Sequence, residues 1–182
     1  MNLAALALKA HVPMRIKRRK LNALFEGTAQ AFNAPMPEID RRSFERCLEQ
    51  YALFTKQEVE RRLQEGGDLP KVRDALYILA HSLGKELREE LHLRSRKDVL
   101  SVGKALYRAI GIEFDGTAEG TVVIRSCFFS RFYSEAVCRV MSSLDEGIAA
   151  GLSAGGKLKF SQRITDGKPC CRAFFDFTGA EE

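Results

Sequence analysis

The sequence predicts an α+β fold: N-terminal helices followed by a four-stranded antiparallel sheet, built as hairpin, helix, hairpin and covered by helices on one face. Three observations carry this. Apolar residues recur at helical spacing up to about residue 110 and again over 132–152. Between and after those stretches the period changes to two, at 112–124 and 157–177. Within the last stretch, Asp166-Gly167 is a preferred pair for a two-residue hairpin turn. That turn sets Ile164 opposite Pro169, Gln162 opposite Cys171, Phe160 opposite Ala173 and Leu158 opposite Phe175. These residues form one mainly apolar face, with Cys171 inward. Lys157, Lys159, Ser161, Arg163, Cys170, Arg172 and Asp176 fall on the other face, with Phe174 as its one large apolar member.

Taken in order, residues 14–32 read as a helix through Leu21, Leu24, Phe25, Ala29 and Phe32, and Asn33-Ala-Pro-Met-Pro37 ends it. A longer helix follows over about 41–64, with Phe44, Cys47, Leu48, Tyr51 and Phe54 on its apolar stripe. Gly66 and Gly67 close it. Asp68 is an N-cap candidate, and Pro70 falls in the first turn of the next helix, which runs to about residue 91. Ser95, with Asp98 three residues on, opens a fourth helix ending near Gly111 on the stripe Val99, Val102, Leu106 and Ile110. Strands 112–115 and 121–124 meet around Gly116 and Gly120. Helix 132–152 then leads into the last hairpin. Residues 1–40 are assigned as a helical extension and 41–182 as an α+β domain.

Composition narrows the class. The chain has 182 residues, 45% hydrophobic and 29% charged, as in ordinary globular proteins. No apolar run reaches the roughly 20 residues needed to span a bilayer. Residues 1–12 are apolar, but their basic cluster follows rather than precedes them, the wrong order for a signal peptide. A cytoplasmic location without membrane association is the expectation. The net charge is +5, with much of it in Arg15-Ile-Lys-Arg-Arg-Lys20. No aromatic interleaves these cations, so a solvated helix face is the simpler reading and nucleic acid is not the expected partner. The long amphipathic helices can support a homodimer through the N-terminal helices.

Five cysteines without export signals imply thiols rather than disulfides. Cys47 belongs to an apolar stripe, and His81 and His92 lie outside any ligand spacing. There is no CxxC, HxxxH or HExxH pattern, so zinc is a weak hypothesis, no metal site is assigned and the cofactor is left open. Cys127 lies just before a predicted helix start and is flanked by Arg125 and Arg131, conditions that favour a thiolate nucleophile. A small residue where strand meets helix is the alternative. Cys138 on the helix and Cys171 on the strand have packing alternatives of the same kind. Gln162, inward among apolar residues, either satisfies a buried partner or lines a ligand cavity. Asp145 can cap, pair with a base or orient a ligand.

Cys127 followed by aromatics, Cys138, Asp145, Arg163-Ile-Thr-Asp-Gly167 and Cys171-x-Ala-x-Phe175 together resemble the L-2-amino-thiazoline-4-carboxylic acid hydrolase-like family. The layout is also similar to that of vinyl-reductase-type small-molecule-binding domains. The resemblance covers 127–177 best and 74–177 more loosely. It implies hydrolytic opening of a small ring with C–N and C–S bonds, or else a non-catalytic cavity or sensor for a small molecule. Its implied catalytic positions are Cys127, Cys138, Asp145 and Cys171; apart from the resemblance, Gln162 and Tyr133 are the expected ligand-binding residues. The chain departs from the pattern at Ser142, where a cysteine is expected, and at Lys168, where an acidic or small residue is usual.

Overall fold

In the computed structural model, which describes residues 14–39 and 43–177, helix α1 (Met14–Ala31) carries Leu21, Phe25 and Ala29 on its buried side. The exposed residues of its basic stretch include Arg15, Arg18 and Arg19. Residues 1–12 of the apolar leader lie outside the described residues, as do Arg41 and Arg42 at the expected start of the second helix. Helix α2 (Phe44–Glu65) starts on Ser43, whose side chain accepts from the Arg46 N–H, and stops at Gly66 in the left-handed conformation. Helix α3 (Leu69–Glu90) is capped by Asp68, which accepts from the Lys71 N–H. Helix α4 (Arg96–Ala109) begins on Ser95, whose hydroxyl also donates to Asp98 at 2.7 Å. Each cap falls where a short polar side chain stands before an apolar run, because the first helical N–H groups have no acceptor of their own.

Strands β1 (Ile112–Gly116) and β2 (Thr121–Cys127) form the first hairpin. A short 3-10 turn, Phe128–Arg131, bends the chain, and Ser134 caps helix α5 (Glu135–Leu152). Helix α5 therefore starts three residues later than the apolar spacing predicts. Strands β3 (Lys157–Gln162) and β4 (Cys171–Asp176) complete an antiparallel sheet of order β1-β2-β4-β3, so β3 is an edge. Burial alternates along the strands. Ile112, Phe114, Val122, Ile124, Leu158, Cys171, Ala173 and Phe175 are covered, while Phe174 is exposed on the other face. This is the α+β architecture expected, with one sheet face buried. One apolar core joins all of it, running from Phe25 and Tyr51 through Val102 to Val137 and Phe175.

The second hairpin differs from expectation at its turn. Leu158 opposes Phe175 and Phe160 opposes Ala173, as the register requires. The connection is longer than two residues, however. A 3-10 turn spans Ile164–Asp166, and Gly167 alone takes a positive φ, +76°. A bulge between Phe160 and Gln162 then pairs Gln162 with Arg172, not Cys171. One extra residue on one strand reverses inside and outside from that point on. Arg163, expected on the polar face, is consequently buried, at 8% exposure.

Helices α3 and α5 cross at backbone contact. A Cβ on Gly84 would stand 2.7 Å from the Ile148 carbonyl oxygen. Side chains on Gly147 and Gly151 would run into the Tyr77 and His81 carbonyls. The pairs Ala80/Gly84 and Gly147/Gly151 recur every four residues and let the two helix axes approach closely. Because of this crossing, the polar residues of α5 stand beside Arg73 of α3 and the β3 edge.

Candidate functional site

Cys127, Cys138, Asp145 and Cys171 come from β2, two turns of α5 and the start of β4, and the fold brings them together. Asp145 is within electrostatic range of all three thiols, and Cys138 is within range of both Cys127 and Cys171. The bend at residues 128–134 makes this possible, since a continuous helix from 127 to 138 would hold those thiols about 16 Å apart. Arg163, delivered inward by the β3 bulge, joins the cluster. Its Nε donates to Ser142 Oγ at 3.3 Å, and its guanidinium lies over the Phe160 ring at 4.8 Å. Ser142, where the resemblance calls for cysteine, thus holds the arginine. It also donates to the Cys138 carbonyl at 2.7 Å.

Asp145 accepts a 2.5 Å hydrogen bond from the Tyr107 hydroxyl. Burial raises its carboxyl from 3.8 to about 6; the Tyr107 bond opposes that rise and nearby Glu146 adds to it. No cation stands within ion-pair distance of Asp145 among the described residues. Tyr107 is itself held protonated by burial and by the Asp145 charge. The pair is a carboxyl that titrates near neutrality beside a permanent O–H donor.

The thiols are not activated. Burial pushes Cys127 up to about 12, although the Ser130 and Phe129 N–H groups at the 3-10 turn favour its thiolate. Cys138 and Cys171 are also raised, mainly by burial. Cys171 Sγ accepts from the Ile164 N–H at 3.4 Å. Thr165 lies near enough to favour the Cys138 thiolate, yet its Oγ1 is buried without a hydrogen-bond partner. A buried hydroxyl without a partner is uncommon, and here it faces the cluster.

Two expected ligand-binding residues are engaged elsewhere. Tyr133 stacks on Phe129, and its hydroxyl meets Thr55 Oγ1 at 2.6 Å, part of a buried polar seam that includes the Thr28–Tyr51 contact of 3.0 Å. The Tyr133 ring borders the site, since Cys127 and Cys138 lie within its electrostatic range. Gln162 donates to the Cys170 carbonyl at 3.0 Å and reaches Cys170 Sγ at 3.5 Å. It therefore braces the turn, because the bulge moves it away from Cys171. Cys47 packs in the core as expected.

Sequence reasoning missed Tyr107 and Arg163. Tyr107 sits four residues after the buried Gly103 and eight after Val99, so a helical stripe drawn through Gly103 reaches it. Nothing in the sequence marks the bulge that buries Arg163. No group of three or more His, Cys, Asp or Glu side chains is arranged to hold a metal ion among the described residues. No described helix is long and apolar enough to cross a membrane.

The fold and the cluster define a class: an α+β domain with a thiol-lined carboxyl and a buried arginine between its sheet and its last helix. No protein-family model matches the chain, and the comparison with curated proteins gives no match.

Proposed function

We propose that this chain is a small-molecule-binding protein whose site is the Cys127, Cys138, Asp145 and Cys171 cluster with Arg163. As in the thiazoline-carboxylate hydrolase-like family it resembles, the proposed chemistry is hydrolysis of a small ring containing C–N and C–S bonds. The observation that carries the proposal is the Tyr107–Asp145 pair beside three thiols. Ring opening by water needs a base to take a proton from the water and an acid to protonate the departing nitrogen or sulfur. A carboxyl near 6 can do both at neutral pH. The raised thiols support a lining role for the cysteines and favour Asp145 for the base work, a change from the cysteine nucleophile expected from sequence.

The second reading, a non-catalytic sensor similar to vinyl-reductase-type domains, is favoured by the same protonated thiols. L-2-amino-thiazoline-4-carboxylate discriminates between the two. Hydrolysis lost in Asp145→Asn, with calorimetric binding retained, supports catalysis. Binding without turnover supports the sensor. A probe that neither binds nor reacts, at any pH between 5 and 8, removes that substrate class from consideration.

A further inference from the structure

A groove of about 520 Å³ lies outside the thiol cluster, between α3, α5 and the β3 edge. Five of the residues lining it are cationic, Arg73, Arg139, Lys157, Lys159 and Arg163, against the single carboxylate of Glu146. Two of the cations are matched. Arg73 approaches Glu146 at 3.7 Å, and Arg139 pairs with Glu135 at 2.7 Å and Asp166 at 3.7 Å. Lys157, Lys159 and Arg163 have no carboxylate at ion-pair distance among the described residues.

Arg163 is the telling member. Its side chain is more than nine-tenths buried, yet beyond the Ser142 bond and the Phe160 ring its terminal nitrogens have no acceptor among the described residues. Neither terminal nitrogen is sealed off from solvent, since the fully buried unpartnered atoms are in other residues. A buried guanidinium carries a large desolvation cost unless an anion meets it. Its free end opens on the groove, in company with the two unmatched lysines. A guanidinium with unmatched terminal nitrogens, flanked by two lysines, favours an anionic group on the ligand. The guanidinium fork matches phosphate oxygens in pairs, and lysine adds point charge. Tyr77, which stacks on His81, and Phe160 offer apolar surface for the rest of the molecule.

We infer that this groove binds a phosphorylated small molecule, with a phosphate group seated on Arg163, Lys157 and Lys159. The inference shares Arg163 with the proposed reaction site but does not depend on that reaction.

Inorganic pyrophosphate is the probe, titrated by calorimetry against the whole chain, with sulfate as the control anion. Saturable binding is expected that is tighter than for sulfate and weakens as salt rises. Lys157→Glu combined with Lys159→Glu changes two exposed side chains and is expected to weaken binding by at least about tenfold. Arg163→Gln is expected to abolish it, with circular dichroism checking the fold. Pyrophosphate binding is read without any turnover, so failure of the hydrolase reading and failure of this one are separable. No saturable heat at millimolar pyrophosphate, equal affinity for sulfate, or unaltered binding in the double lysine variant would each overturn the inference.

Discussion

The carboxyl of Asp145 has consequences that can be measured without knowing a ligand. Its folded value, about 6, lies above its ordinary 3.8, so the folded protein holds the proton more tightly than the unfolded chain. The stabilisation is therefore complete below about pH 4 and is lost as pH rises through 6. The difference corresponds to about 3 kcal/mol at most. Urea unfolding from pH 4 to 7 should show this descending component in the wild type and lose it in Asp145→Asn. A curve that keeps its slope in the variant would assign the titration to another group. The thiols make a second test. Raising Cys127 from 9.0 to about 12 lowers its thiolate population about a thousandfold. Iodoacetamide at pH 7.5, followed by peptide mass spectrometry, should therefore label Cys127 far more slowly in the folded protein than in urea. Rapid labelling would restore the case for a cysteine nucleophile. At this scale the sequence was legible in part. Cys127, Cys138 and Cys171 were identifiable from residue type and phase, and each lies within electrostatic range of Asp145. Arg163 was not, because its side was set by a bulge that no residue announces.

Among elements, the α3–α5 crossing governs the site. Gly84, Gly147 and Gly151 let backbone meet backbone, and that contact sets Ser143 and Glu146 beside Arg73, which donates to Ser143 Oγ at 3.1 Å. Gly151→Ala would drive a methyl group into the His81 carbonyl and the Lys85 N–H, neither of which can move aside alone. A loss of more than about 2 kcal/mol is expected by urea denaturation, despite the better helix propensity of alanine. A neutral or stabilising result would mean that the helices sit further apart. Helix caps were readable in advance because each depends on a few adjacent residues: Asp68 and Ser95 both cap where expected. The crossing was not readable, since the spacing of small residues has meaning only once a partner helix is known.

For the whole molecule, the core is continuous from α1 to the sheet. Phe25 is fully buried, with its ring edge-on to Tyr51 at 5.0 Å, and Tyr51 in turn meets Phe129 at 6.2 Å. Phe25→Ala should cost about 3–5 kcal/mol and lower the single thermal transition of the whole chain. If the sheet and α5 instead melted unchanged while α1 loosened alone, α1 would be energetically separate. Phe174, exposed on the open sheet face, should tolerate replacement by threonine within about 0.5 kcal/mol.

By itself the sequence determined the fold class, the order of the elements, the inner face of β3 and β4 as far as Phe160, and which cysteines belong to one unit. All of these follow from periodicity and from contacts a few residues long. Only the tertiary structure decided the acidity of Asp145, the burial of Arg163 and the cationic groove. Those properties arise where segments distant in sequence exclude water together, and the field at such a place is the sum of what every neighbour contributes.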